Sequence, residues 1–271
     1  MTIGIVTDSS CDLPADVARR HGIGIVPLTV RFGDEVLVDG ADLDSAMFWQ
    51  RLERSPQLPE TAAPSPGAFL DAFARLGDVD GVVCLCLSSR LSATYQAAVL
   101  AAEESEMPVR VIDSEVVSMA LGLVAINAAE VARTGAGLEA VAFASAQAAS
   151  RSNVFAALDT LEYLDRGGRV GRVSALLGGL LDIKPLITLE EGTVVAGGRV
   201  RTRSKAIAAI VDHVAGTAIA EIAVVHSGAS DVPRLIGALG KAVDDPIVAE
   251  LGPVVGTHTG PGVLGVAYLE A

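Results

Sequence analysis

Residues 82–96 read VVCLCLSSRLSATYQ, and this stretch decides the fold class. Residues 82–87 are continuously apolar, which is typical of a β-strand that is buried on both faces of a parallel sheet. A loop rich in serine follows at residues 88–93, and a helix is expected after it. The stretch therefore predicts a strand-loop-helix unit, the building block of an α/β fold.

Two further units of this kind lie in the first half of the chain. Residues 2–10, TIGIVTDSS, are an apolar run that ends in a polar loop, and residues 109–112 run into Asp113 and Ser114. The carboxyl ends of such strands form the ligand crevice of an open α/β sheet. We therefore expect a three-layer α/β/α domain with a mainly parallel sheet and polar loops at one edge.

The pattern changes near Arg151. Paired glycines then interrupt the chain at residues 167–168, 178–179 and 197–198. Short strands and helices alternate between them, which predicts a two-layer α+β domain with a mixed sheet. With 271 residues the chain is long enough for two domains. We place an N-terminal α/β domain at 1–150 and a C-terminal mixed-sheet domain at 151–271.

Two local predictions concern the N-terminal domain. Residues 23–30 read as one strand. Prolines at positions 56, 59, 64 and 66 favour an extended loop, so Thr61 is predicted to lie in a loop between helices.

Composition excludes several classes of protein. The net charge is −13, with 20 Lys and Arg against 33 Asp and Glu, so nucleic acid is not an expected partner. The mean hydropathy is +0.48, yet no apolar run reaches the ~20 residues that cross a bilayer. Transient membrane contact is the most that we expect.

The N-terminus lacks the features of a signal peptide, which predicts a cytoplasmic protein. The cysteines at positions 11, 84 and 86 are predicted to be buried free thiols.

Familiar catalytic and cofactor motifs are missing from the sequence. It contains no Gly-rich phosphate loop and no G-x-S-x-G, and its four histidines are scattered, so we expect neither a cofactor nor a metal site. A lipid or ester hydrolase that uses Ser92 and His258 stays open as the alternative function, and a regulatory or purely structural protein is a third. The hydrolase lacks an evident acidic partner for the histidine.

Three segments cluster hydroxyl groups and free amides at predicted helix starts, at residues 61–66, 88–96 and 256–262. A helix N-terminus presents unpaired N–H groups and a partial positive charge, so the turn from Ser92 to Tyr95 is a candidate site for a carboxylate or phosphate. Ser92 acting only as a helix cap is the alternative interpretation.

Several ordered motifs resemble the DegV family of bacterial fatty-acid-binding proteins. They are residues 5–9 (IVTDS), 89–96 (SRLSATYQ), 113–114 (DS), 160–169 (TLEYLDRGGR), 183–185 (IKP), 201–206 (RTRSKA) and 256–262 (GTHTGPG). The resemblance covers essentially the whole chain. It implies one long-chain fatty acid as ligand, with its carboxylate at the domain junction and its tail in the C-terminal domain. Some family members present the acid to a separate kinase that makes acyl phosphate, so a fatty acid kinase is a possible partner.

The resemblance also implies site residues. Thr61, Ser92, Ala93 and His258 match the positions that hold the carboxylate, and the resemblance implies no catalytic residue. Arg169 matches the arginine of the Gly-Gly-Arg motif, and we expect it on the surface that faces a phosphoryl donor. A loop cap is the alternative role for Arg169.

The chain departs from the family pattern at two places. Ala62-Ala63 stand where many members carry Ser-Gln, which removes polar contacts and puts the substrate preference and the kinase partnership in doubt. Ala93 replaces the turn glycine, and we expect a negative φ there, as at a helix start.

Overall fold

The computed structural model describes residues 1–176, 183–240 and 246–271. Gly178 and Gly179, one of the predicted glycine pairs, lie outside the described residues.

A four-stranded parallel sheet forms the centre of the N-terminal half, in the order β2-β1-β6-β7. Its strands are β1 Ile3–Asp8, β2 Ile23–Val26, β6 Gly81–Cys86 and β7 Val109–Asp113. Every residue of β1 and β6 is buried. The continuous apolar run at residues 82–87 thus reflects a strand that is covered on both faces.

Helices cover both faces of this sheet. One face packs against α1 Ala15–His21, α5 Met119–Arg133 and α6 Leu138–Ser150. The other face packs against α3 Pro66–Arg75 and α4 Thr94–Glu104. The predicted three-layer α/β/α arrangement is confirmed.

A small antiparallel sheet, in the order β4-β3-β5, corrects two sequence predictions. Its strands are β3 Thr29–Phe32, β4 Glu35–Val38 and β5 Glu60–Ala62, and α2 Ser45–Arg54 packs on them. Residues 23–30 are not one strand, because Pro27 separates β2 from β3 and has no N–H to donate to a ladder. Thr61 lies in β5, paired with Val30, because an extended Pro-flanked segment can still pair with a neighbouring strand.

The C-terminal half contains a six-stranded mixed sheet in the order β10-β9-β8-β13-β11-β12. Its strands are β8 Ser152–Ala157, β9 Lys184–Glu190, β10 Thr193–Val200, β11 Ile219–His226, β12 Ile247–Glu250 and β13 Leu264–Glu270. The β11–β12 pair is parallel and the other described pairs are antiparallel. Helices α8 Arg203–Val214 and α9 Val232–Leu239 cover one face. The predicted mixed sheet is confirmed.

The second face of this sheet packs against α5 of the N-terminal half. In β8, Val154 and Ala156 belong to the core shared with α5, whereas Phe155 and Ala157 face α8 and α9, as the two-residue period of a strand requires. One apolar core therefore runs across the junction. The division at residue 150 stays a prediction.

Two short helices, α7 Glu162–Arg166 and α10 Pro253–Thr259, lie at the junction. Arg169 follows α7, and His258 lies in α10. Cys11, Cys84 and Cys86 are buried and free, as predicted. Within the described part of the chain, none of the helices has the length and apolar character needed to span a bilayer.

Candidate ligand site at the domain junction

A narrow cavity lies between the two halves of the molecule. Its walls are mostly aliphatic, with Leu87 and Val117 on the N-terminal side and Val154, Ala156 and Leu158 of the β8 segment on the other. The cavity volume is about 100 Å³. The alternate residues 154, 156 and 158 form a wall ~13 Å long, since a strand rises ~3.3 Å per residue.

The polar side chains that line this cavity include Thr61, Ser92, Arg169 and His258, which come from distant parts of the sequence. Thr61 comes from β5, Ser92 from the turn before α4, and His258 from the last turn of α10. Each is half-buried. The structure therefore brings together three of the four residues that the sequence assigned to a carboxylate, and adds Arg169 to them.

Thr61 and His258 are in direct contact. The distance from Thr61 Oγ1 to His258 Nε2 is 2.9 Å, a hydrogen bond that joins the small antiparallel sheet to α10. The other ring nitrogen, Nδ1, is buried without a hydrogen-bond partner among the described residues. Gly167 allows the ring to lie there, because a Cβ at that position would be only 2.5 Å from His258 Nδ1.

Burial and the nearby charge of Arg169 lower the pKa of His258 to about 4. Both effects disfavour the imidazolium form. His258 is therefore neutral near pH 7, and one of its ring nitrogens accepts while the other carries the proton.

Arg169 lines the cavity and folds against the loop before α4, and the role toward a phosphoryl donor that the sequence predicts stays a prediction. Its Nε donates to the Leu91 carbonyl at 3.1 Å, and its Nη1 donates to the Gly167 carbonyl at 2.8 Å. No carboxylate of the described residues lies within 4 Å of the guanidinium. The Arg169 side chain takes this position because residues 167–169 turn back onto the loop before α4. A cation that has no carboxylate partner in the described part of the chain thus lies in the wall of the cavity.

Ser92 and Ala93 have different positions relative to the cavity. Ser92 Oγ lies 2.8 Å from Thr94 Oγ1 and accepts the Thr94 N–H at 3.3 Å. Ala93 is the N-cap of α4, with φ −76 as predicted, and its side chain is exposed and does not line the cavity. Ser92 therefore combines a local turn contact with a hydroxyl that faces the cavity.

Sequence reasoning missed three buried carboxyl groups beside the site. Burial raises the pKa of Asp8 and of Asp39 to about 6 and that of Asp12 to about 7. The hydroxyls of Ser10 and Ser118, which also line the cavity, donate to Asp8 and Asp12 at 2.5 Å. The one signal in the sequence was the polar loop TDSSCD after β1, which lies at the carboxyl edge of the sheet.

The hydrolase alternative requires a serine that is hydrogen-bonded to a histidine. Here Ser92 contacts Thr94 and His258 contacts Thr61. A carboxylate partner for His258 Nδ1 is lacking in the ranges that the structure covers. In the same ranges, no three His, Cys, Asp or Glu side chains are arranged to hold a metal ion.

Comparison with known proteins gives a consistent result. The model of the DegV family, described as an uncharacterised protein family, matches residues 2–271. A DegV domain-containing protein of Streptomyces coelicolor is 41% identical over 97% of both chains. One from Deinococcus radiodurans is 37% identical over 98% of both.

Solved structures with the same fold span the whole chain. A DegV family protein from Thermus thermophilus, described by its fatty acid binding, has a TM-score of 0.92 and 35% identity, and each chain covers 100% of the other. DegV from Bacillus subtilis, described as a fatty acid binding protein, has a TM-score of 0.90 and 29% identity, again over 100% of both chains.

Proposed function

The chain belongs to the DegV family, and from this premise we propose that it binds one long-chain fatty acid in the junction cavity. The carboxylate lies between Thr61, Ser92, Arg169 and His258, with the Ala93 amide at the nearby start of α4. The tail lies along the inner face of the C-terminal sheet. Solved relatives from two organisms are described as fatty-acid binding, which supports this assignment.

The observation that carries the proposal is the combination of Arg169 with an aliphatic cavity. Arg169 is half-buried and has no carboxylate partner among the described residues, and the neighbouring His258 is neutral because its pKa is about 4. Among the described residues that line the cavity, Arg169 is therefore the only one that is charged near pH 7. A buried charge needs a counter-charge and hydrogen-bond donors, and a single carboxylate supplies the counter-charge.

The walls favour an unbranched chain as the rest of the ligand. Burying a C16 tail contributes on the order of 10 kcal/mol before ordering costs, at roughly 0.8 kcal/mol per methylene. Since Leu87 and Val117 of the N-terminal half also line it, we place the tail between the two halves and not within the C-terminal domain alone.

We further propose that the bound acid is presented to a separate kinase. Ser92 is half-buried and the adjacent Ala93 is exposed, so the carboxylate end lies near the surface while the tail lies inside. Phosphoryl transfer requires a nucleotide cradle, and the sequence has none of the familiar phosphate loops. A role for Arg169 toward the phosphoryl donor stays a prediction.

The test is to denature the purified protein and to analyse the released lipid by mass spectrometry, beside a native mass spectrum. We expect one fatty acid per chain. A preparation without lipid that also fails to bind added fatty acid would overturn the proposal. Incubation with a chromogenic ester separates the hydrolase alternative, because only that alternative predicts turnover that Ser92→Ala abolishes.

A further inference from the structure

We propose that Asp12 is a positioning residue for His258, acting from the N-terminal half through Gly252, the N-cap of α10. The inference rests on the proposed function, because His258 is assigned there to the carboxylate. Asp12 does not line the cavity, and its effect on the ligand is transmitted through the helix.

The carboxylate of Asp12 joins two segments that are far apart in sequence. Its Oδ1 accepts the Gly252 N–H at 2.8 Å, and its Oδ2 accepts the Ser118 hydroxyl at 2.5 Å. The side chain is 8% exposed, so both bonds are shielded from water. Asp12 has φ 52 and ψ 24, a left-handed conformation that Asp tolerates better than most residues.

Gly252 is the N-cap of α10 and has no side chain to cap the helix. Asp12 instead places a carboxylate at this end, from 240 residues away in the sequence. Its oxygen satisfies one of the backbone N–H groups that a helix leaves unpaired at its N-terminus. The fit is close, because a Cβ on Gly252 would be 3.1 Å from Asp12 Oδ1.

The opposite end of α10 carries His258. Six residues separate it from Gly252, which corresponds to ~9 Å along a helix. The sides of α10 contact rings at glycines: a Cβ on Gly256 would be 2.8 Å from Trp49, and a Cβ on Gly260 would be 2.3 Å from Tyr163. These contacts limit sideways movement of the helix. The hydrogen bond from the Gly252 N–H to Asp12 is directional, and it fixes the position of the helix N-terminus.

The hydrogen bond between Thr61 Oγ1 and His258 Nε2 depends on that placement. Its length is 2.9 Å, and hydrogen bonds weaken steeply when the donor or acceptor moves out of line. Release of Gly252 from Asp12 therefore moves or loosens the imidazole with respect to Thr61 and to the bound carboxylate.

Asp39 provides a matched control. It is a second buried carboxyl group in the same cluster, and its oxygens lie 3.9 and 4.0 Å from the Cβ position of Gly252. It makes no hydrogen bond to Gly252 in the described structure. Asp39→Asn thus removes a neighbouring charge and leaves the contact between Asp12 and Gly252 in place.

The experiment compares binding of a C16 fatty acid with binding of the C16 alcohol, because the ratio of the two affinities reports on the head group and not on the tail. Asp12→Gly removes the carboxylate without backbone strain, since glycine adopts a left-handed conformation freely. We expect the acid-to-alcohol ratio to fall about fivefold or more in Asp12→Gly, and to change less than twofold in Asp12→Asn, which keeps an oxygen acceptor, and in Asp39→Asn. An unchanged ratio in Asp12→Gly would overturn the proposal.

A double-mutant cycle tests whether Asp12 acts through His258. In the His258→Ala background, Asp12→Gly should leave the acid-to-alcohol ratio unchanged within twofold. The same fall in that background as in the wild type would contradict transmission through α10.

The NMR signals of the His258 imidazole in the lipid-free protein give a readout that does not depend on binding. We expect them to shift in Asp12→Gly and to stay near the wild-type positions in Asp39→Asn. If Asp12→Gly does not fold, Ser118→Ala replaces it, because loss of the Oδ2 partner frees the Asp12 carboxylate and should shift the same signals. Unshifted signals contradict the inference, whereas a wild type that binds no fatty acid contradicts the proposed function alone.

Discussion

Thr61 Oγ1 and His258 Nε2 are 2.9 Å apart although 197 residues separate them in the chain. The contact joins a strand of the small antiparallel sheet to the last turn of α10. It places a hydroxyl and a neutral imidazole at the polar end of an aliphatic cavity. The carboxylate binding that we propose for this end would therefore depend on the relative position of the two halves of the molecule.

Removal of either head-group hydroxyl should weaken fatty acid binding. We expect Thr61→Val and Ser92→Ala each to cost about 1–3 kcal/mol, the usual effect of losing a hydrogen bond to a charged group. Isothermal titration with a C16 fatty acid measures the change. Thr259→Val is the control, because that hydroxyl lines the same cavity but donates to the Val255 carbonyl. Equal affinity in a Thr61→Val/Ser92→Ala double variant would remove both residues from the site.

Arg169→Met should lower affinity for the fatty acid more than affinity for the matching alcohol. The guanidinium has only carbonyl partners among the described residues, so its charge is available to a ligand carboxylate. We expect a loss of tenfold or more for the acid, in keeping with about 1.5–3 kcal/mol for a charged hydrogen bond. Arg166→Met is the control, since Arg166 pairs with Glu162 on the surface. Intact lipid binding together with lost phosphorylation by a kinase would instead support the outward role that the sequence predicted.

Ala156 should limit the length of the tail. Its side chain lies between Val154 and Leu158 on the cavity wall, so Ala156→Leu fills space that an acyl chain would occupy. We expect this variant to prefer shorter acids than the wild type, and Val154→Ala to accept longer ones. Mass spectrometry of co-purified lipid from both variants measures the shift. Identical lipid profiles in the three proteins would place the tail elsewhere.

The pH dependence of stability should reveal the lowered pKa of His258. Its pKa is about 4 when folded and 6.5 in the unfolded reference, so between these values the unfolded chain binds more protons. The contribution of His258 to stability is therefore lost as the pH falls through this window. Urea unfolding should show the wild type losing stability relative to His258→Gln between pH 7 and pH 5. A constant difference over that range would mean that the imidazole is not buried.

The contribution of Asp12 to the pH dependence of stability should have the opposite sign to that of His258. Burial raises its pKa from 3.8 to about 7, so the folded protein binds more protons than the unfolded chain between these values. Its stabilising contribution is present at low pH and is lost as the pH rises through about 7. The wild type should thus lose stability relative to Asp12→Asn between pH 5 and pH 8. An increasing advantage of the wild type over that range would contradict a raised pKa.

Much of the fold is visible in the sequence because burial leaves a local record. The continuous apolar run at residues 82–87 predicts a strand that is covered on both faces, and β6 is buried throughout. The polar loops after β1, β6 and β7 follow from the same logic, since parallel strands end at one edge. The sequence analysis did not predict the break between strands at Pro27 or the strand around Thr61, because pairing in the small sheet depends on partners that are distant in sequence.

The candidate site likewise has a part that the sequence predicts and a part that only the tertiary structure decides. Hydroxyl-rich turns mark the segments that contain Thr61, Ser92 and His258, and the family resemblance assigns these residues to the carboxylate. The inward direction of Arg169 and the capping of Gly252 by Asp12 were decided only when the C-terminal sheet packed against α5. The physical reason is that a hydrogen bond across 78 or 240 residues leaves no periodicity in the chain. It exists only where two separately specified surfaces meet.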